Sequence, residues 1–322
     1  MPCGLRFNRL RKYFQSIDSI ALFCHFPRMK TGKQMPYEIQ KTLLLAVTLV
    51  SCVALHPRRC SAAQLTPNTA HAFDTYIAAK EASADRDLAA GKGFLYIDSL
   101  SPSQKASAYA RLKVGEILVQ HGSECHTSAR SRIPGGLIHD WTGIVFVPGI
   151  SISQTLATLQ DYDHDVIFYP SEVVKSKLLS RSGDNFHIYL RLKQVHILTV
   201  VLDTEYGVHY AQLDPARAYA RSHSTRIAEV DHAGTADERE EPVGHDHGYL
   251  WRLDSYWRFR EADGGVYVQV EAISLTRDVP TGLGWLIGSL LESIPESSLR
   301  STLAETRTAL LNQLNPTKEN SP

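Results

Sequence analysis

Beyond residue 63 the chain contains one cysteine, Cys125, and no methionine; its other four cysteines and all three methionines lie upstream. A lone cysteine cannot close an internal disulfide, and no cysteine pair has metal-ligand spacing, so the body must be held together by its core. Glycine-rich phosphate loops, a serine in a nucleophile elbow and paired-cysteine motifs are all missing, and no motif calls for a cofactor or a metal. A basic stripe is missing too. Ten of the 34 Lys/Arg but only two of the 34 Asp/Glu fall in residues 1–63, which leaves 24 basic against 32 acidic residues downstream. An acidic body cannot neutralise a run of phosphates, which argues against nucleic acid as a partner.

The basic N-terminal part reads as a targeting segment, residues 1–63. Lys41 precedes Leu43 to Leu55, an apolar stretch too short for the about 20 residues of a membrane span but suited to the core of a signal peptide. Cleavage after Ser61-Ala62-Ala63 would leave Gln64 as the first mature residue. Leu49-Val50-Ser51-Cys52 resembles a lipobox and would instead make Cys52 a lipidated N-terminus. Met29 and Met35 are alternative starts, each giving a signal peptide of ordinary length. All these readings export the protein to the periplasm or beyond, with membrane proximity through export or lipidation.

The body is organised around Tyr249–Arg277. Asp263-Gly264 suits a two-residue type I′ turn, whose central residues both need φ > 0. With that turn Phe259 faces Val268, Trp257 faces Val270, Arg258 faces Gln269 and Tyr256 faces Glu271. One face of the ribbon then carries Trp251, Leu253, Trp257, Phe259, Val266, Val268, Val270 and Ala272. The other carries Arg252, Asp254, Tyr256, Arg258, Arg260, Tyr267, Gln269 and Glu271. The apolar face needs a cover, and the C-terminal segment is suited to provide it. Ser293-Ile294-Pro295-Glu296 has the form of a capping box and predicts a helix from there to about Leu314, with Leu299, Leu303, Thr306 and Leu310 as its buried stripe.

Taken in order, residues 65–90 read as a helix with Phe73, Tyr76, Ile77 and Lys80 on one side. Ser101-Pro102-Ser103-Gln104 opens a second helix to about Leu112, and EILVQ a short strand. Residues 121–136 form a polar connector that closes an α-rich accessory region, 64–133. From Leu137 the pattern changes to a strand ending at Pro148-Gly149, then a helix capped by Ser151 or Ser153. A hairpin follows, turning at Ser182-Gly183-Asp184-Asn185, and then strands near 195–203, 206–213 and 217–229. The acidic stretch 231–248 reads as a long solvated loop, and 315–322 as a disordered tail.

Several clusters were weighed as chemistry. His245-Asp246-His247, with His232 and Glu238 to Glu241, lacks a ligand on a rigid element and reads as solvated loop rather than metal site. Cys125, between His121 and His126, reads as a loop residue rather than a nucleophile. His139, Asp140 and His164, with Asp163 and Asp165, are acid–base candidates, with His139 more at home as a sheet residue. Arg217, Arg221 and Arg226 read as a solvated row balancing the acidic loop.

The opening strand HDWTGIVFVPG with its helix, the hairpin YWRFREADGGVYVQVEAISLTRDVP and the last helix PESSLRSTLAETRTALLNQL together resemble the START-like, or SRPBCC, helix-grip superfamily, over roughly residues 135–314, in a domain expected at 134–314. The resemblance implies an α+β fold: a curved antiparallel sheet wrapped on the terminal helix, with an apolar cavity between them. It implies a binding protein for a hydrophobic molecule such as a lipid, a quinone or a polyketide-like compound, lined by Trp251, Leu253, Trp257, Phe259, Val268 and Val270. If the other face points inward, Tyr256, Arg258 and Glu271 form a polar anchor. A cyclase-like enzyme using those three or His139 is the alternative, and an envelope interaction module with a filled core a third.

Overall fold

The computed structural model describes residues 63–91, 93–122, 130–195, 199–278 and 284–314. Residues 1–62, where the expected targeting segment and Cys52 fall, lie outside the described residues, as do Cys125 and the expected tail 315–322.

In chain order the elements are β1 (Ala63–Gln64), α1 (Pro67–Ala89), α2 (Pro102–Lys113), β2 (Leu118–His121), β3 (Arg130–Ile133), β4 (Gly136–Pro148), α3 (Ile152–Leu159) and α4 (Asp165–Phe168). The long strands β5 (Val173–Ser182), β6 (Asn185–Val195), β7 (Thr199–Asp214) and β8 (Arg217–Asp231) follow. The short β9 (Arg239–Glu240) and β10 (His245–Asp246) lead to β11 (Arg252–Ala262), β12 (Gly265–Arg277) and α5 (Gly284–Leu314). The architecture is α+β, a helix-grip. An antiparallel sheet in the order β2-β4-β12-β11-β8-β7-β6-β5, with β3 beside β4 and β9 beside β8, curves around α5. Among the described residues no helix is long and apolar enough to cross a membrane.

Local chemistry explains the boundaries. The Thr66 hydroxyl accepts from the backbone N–H of Thr69 to start α1, and Ser151 does the same for Gln154 at α3. The hairpin turns where Asp263 and Gly264 both adopt positive φ, 55° and 75°. Its register pairs Phe259 with Val268, Trp257 with Val270, Arg258 with Gln269 and Tyr256 with Glu271, as expected. The sheet therefore has two unlike faces. The inner one meets α3 and α5 in a cluster that holds Val145, Val147, Phe259, Val268, Val270, Leu299, Leu303 and Leu310. The outer one is covered by α1 and α2, with Phe73, Ile77, Leu95 and Leu112 buried against it.

Four expectations need correction. The final helix starts at Gly284, not near Pro295, which lies inside it. A proline removes one N–H from a helical ladder, a local cost of about 3 kcal/mol that a 31-residue helix can carry. The expected strands 195–203 and 206–213 are one, β7. The irregularity lies on its partner β8, where Thr225 is the extra residue between Ser224 and Arg226, so the ladder bends without breaking. The polar connector 121–136 contains β3, paired with β4. The loop 231–248 is not solvated throughout: β10 pairs with β1, and Asp246 is only 2% exposed.

The helix α5 approaches β4 closely because Gly143 has no side chain. A Cβ there would stand 2.5 Å from Leu303 Cδ1 and 3.3 Å from Leu299 Cδ2. Gly143→Ala is expected to lower stability by about 1–3 kcal/mol through overpacking. Chemical denaturation measures this, and an unchanged midpoint would contradict the close approach.

Candidate functional site

Five of the six apolar candidates come together on the inner face. Leu253, Trp257, Phe259, Val268 and Val270 all belong to the cluster against α5, with Phe259 and Val268 fully buried and Trp257 and Leu253 only half-buried. Trp251 does not join them. It precedes β11, so the alternation of that strand does not govern it, and its ring packs with Phe73, Ile138 and Ile273 on the outer side. There its indole N–H donates to Asp246 Oδ1 at 3.0 Å. Burial, with the Glu229 charge adding, pushes the Asp246 carboxyl up to about 6.

The three polar candidates face outward, beneath α1. Lys80 reaches down from that helix to Glu271 Oε1 at 2.6 Å and Asp140 Oδ2 at 3.1 Å, with Asp140 fully buried. The Tyr76 hydroxyl donates to the same Asp140 oxygen at 2.7 Å. Arg258 donates to the Phe94 carbonyl at 2.8 Å. Burial holds the Arg258 guanidinium below its ordinary range, against the pull of Glu271. Burial likewise raises the Glu271 carboxyl, against the pull of Lys80. It also opposes the Lys80 charge, but there the two carboxylates win and the ammonium is held above its usual range. Burial, and then the charges of Glu81 and Asp254, raise the Tyr256 phenol. A cavity of about 30 Å³ sits among Lys80, Ala84, Tyr219, Arg221, Tyr256 and Arg258. That is room for water and far too small for a lipid.

The inner face carries features that pattern reading missed. Trp141 on β4 and Tyr206 on β7 belong to the same apolar cluster, 6% and 5% exposed. Among the described residues the Trp141 Nε1 has no hydrogen-bond partner, while the Tyr206 hydroxyl has the Thr204 side chain beside it. The Thr204 hydroxyl donates to the Leu190 carbonyl at 2.8 Å, which leaves its oxygen able to accept from Tyr206. Burial pushes the Tyr206 phenol up to about 12, so it stays neutral. The parity of β4 was the available signal for Trp141, since it shares a face with Val145 and Val147. Its empty N–H had no signal at all.

Polar side chains gather around these two. Cross-strand pairs place Trp141 beside Ala272, Ala272 beside Ser255, and Ser255 beside Ser222. One step along, Ser274 lies opposite Leu253, and Ser224 opposite Tyr206. His139 Nε2 meets Thr276 Oγ1 at 3.1 Å at the same end. The opposite end is dry, with Phe259, Val266 and Val268 packed against leucines of α5.

The remaining candidates are structural. His164 pairs with Asp161 at 2.8 Å on the surface. His247 Nδ1 pairs with Glu229 at 2.8 Å, and Arg221 and Arg226 with Asp85 and Glu240. Among the described residues no three His, Cys, Asp or Glu side chains converge as a metal site. An open groove of about 750 Å³ between α2 and β2, lined by Ser103, Ser107, Arg111, Gln120 and Arg300, includes none of the candidate residues.

No family model matches the chain, and no curated protein matches it either. Solved structures do. A protein from Thermus thermophilus is 12% identical, with 53% of this chain and 97% of that chain covered and a TM-score of 0.39. The Zhui aromatase/cyclase from Streptomyces is 14% identical, with 57% and 99% covered and a TM-score of 0.38. A STAR-related lipid transfer protein from Xanthomonas axonopodis is 16% identical, with 56% and 99% covered and a TM-score of 0.36. Likenesses this low carry no argument about what this chain binds, and the fold stands on its own strand order.

Lys80→Met would leave Asp140 and Glu271 buried without their cation, an expected loss of about 3–5 kcal/mol. Without Lys80 the already raised carboxyl of Glu271 rises further. The folded state then binds protons more tightly than the unfolded chain, and the deficit shrinks as pH falls from 7 towards 4. Denaturation at several pH values measures both; a loss independent of pH would contradict the charge account.

Proposed function

We propose that this chain is an exported binding protein that takes a hydrophobic molecule, of the lipid, quinone or polyketide-like kind, between the sheet and α5. One observation carries the reading: among the described residues the buried Trp141 Nε1 has no partner inside a largely apolar cluster. Buried polar groups are almost always hydrogen-bonded, and an apolar interior with a few unsatisfied polar atoms has the composition of a ligand pocket. The half-buried Trp257 and Leu253, beside serines rather than leucines, support an interior that is open to a guest at that end. The basic leader followed by an acidic body supports export.

A cyclase-like reaction draws less support. Tyr256, Arg258 and Glu271 lie under α1 on the opposite side of the sheet, which leaves His139, bonded to Thr276, as the candidate on the inner face.

Trp257→Arg tests the reading. Trp257 is half-buried, so an arginine there can run its stem along the apolar wall and keep its charge near water. The variant is expected to bind the neutral fluorophore N-phenylnaphthylamine at least about tenfold more weakly, with its thermal midpoint within a few degrees of the wild type. If it unfolds, Trp257→Ala replaces it. Undiminished probe binding in a folded variant would contradict the pocket.

A further inference from the structure

The inner face also indicates what kind of hydrophobic molecule it can take. This step rests on the binding reading above and concerns the charge of the guest.

Strand alternation sorts the cations. The inward positions of β4, β11 and β12, and those from Ala218 to Ser224 on β8, include neither lysine nor arginine. The arginines of the same strands point outward, where Arg258 meets the Phe94 carbonyl, Arg260 meets Asp98 and Arg221 meets Asp85. Lys80, the buried ammonium of the outer side, is taken up by two carboxylates. On the edge strand β5, the exposed Arg181 lies over the Phe186 ring at 4.5 Å and donates to the Gly183 carbonyl. The acid that points inward at the dry end, Glu261, accepts from the Ile152 N–H at 2.7 Å.

An anionic head group entering this interior would lose its hydration and gain no cation, so a carboxylate or phosphate is penalised. What the interior does offer is neutral. An indole N–H can only donate, and a neutral phenol can donate or accept. Both are buried, the indole N–H has no partner among the described residues, and Ser222, Ser255 and Ser274 stand in the same rows. We propose that the guest is a neutral amphiphile whose polar part carries hydrogen-bond acceptors, such as carbonyl, ester or hydroxyl oxygens, for Trp141 and Tyr206. Fatty-acid anions and anionic phospholipids are the wrong chemistry for it.

A matched pair of probes tests this: oleic acid, ionised at pH 8, and methyl oleate, each titrated into the wild type and the Trp141→Phe/Tyr206→Phe double variant. The double variant keeps an aromatic ring at each position and removes both donors. The ester is expected to bind the wild type at least about tenfold more tightly than the acid. It should bind the double variant about tenfold or more less tightly than the wild type. The apo double variant should have a lower thermal midpoint, because the smaller ring at position 141 leaves a cavity, but should remain folded at the titration temperature. Equal or tighter binding of the acid, or ester binding untouched by the double variant, would overturn the proposal while leaving a hydrophobic site. If neither probe binds the wild type, the binding reading itself falls.

Discussion

Because side chains alternate across a strand, the turn at Asp263-Gly264 decides which half of β11 and β12 faces α5 and which half faces α1. A slip of one residue would exchange Trp257, Phe259, Val268 and Val270 with Arg258, Arg260, Gln269 and Tyr267. Buried arginines would then meet Leu299 and Leu303, and the carboxylates that hold Lys80 would lose their position. The outer cover and the inner core both depend on that register. Two adjacent positive-φ residues, one of them a glycine, are enough to set it.

The two faces use different physics. Inside, packing decides: Gly143 admits α5, and leucines at helical spacing fill the space from Val145 onward. Outside, charge decides. Lys80 places a cation between Asp140 and Glu271, and Tyr76 adds a hydrogen bond. A pair of this kind contributes modestly to net stability but makes the docked position of α1 hard to change, because any shift leaves a buried charge uncompensated. With its cations on the outer side, the sheet presents no lysine or arginine at the inward positions of β4, β11 and β12.

Much of this was legible in the residues themselves. The hairpin register, the caps at Ser101 and Ser151, and the leucine stripe of α5 are local signals, and they hold. Trp251 was misplaced because its parity was extended past the end of β11, where the chain crosses to the outer side. The start of α5 was misplaced because a proline after a serine imitates a helix start and also fits inside a helix. Helical spacing puts Lys80 on one side of α1 with Phe73 and Ile77, but its partners, at positions 140 and 271, are known only from tertiary structure. So is the Trp141 N–H without a partner among the described residues, since a missing partner leaves no trace in a sequence.

The central claim is that the space between the sheet and α5 holds a hydrophobic molecule. Native mass spectrometry of the mature chain, purified from its own cells and compared with the same sample after denaturation, tests it most directly. The account predicts a complex heavier than the polypeptide by one apolar organic molecule, released on unfolding and reduced in the Trp257→Arg variant. A bare polypeptide mass before and after denaturation, from a fully folded sample, would contradict it.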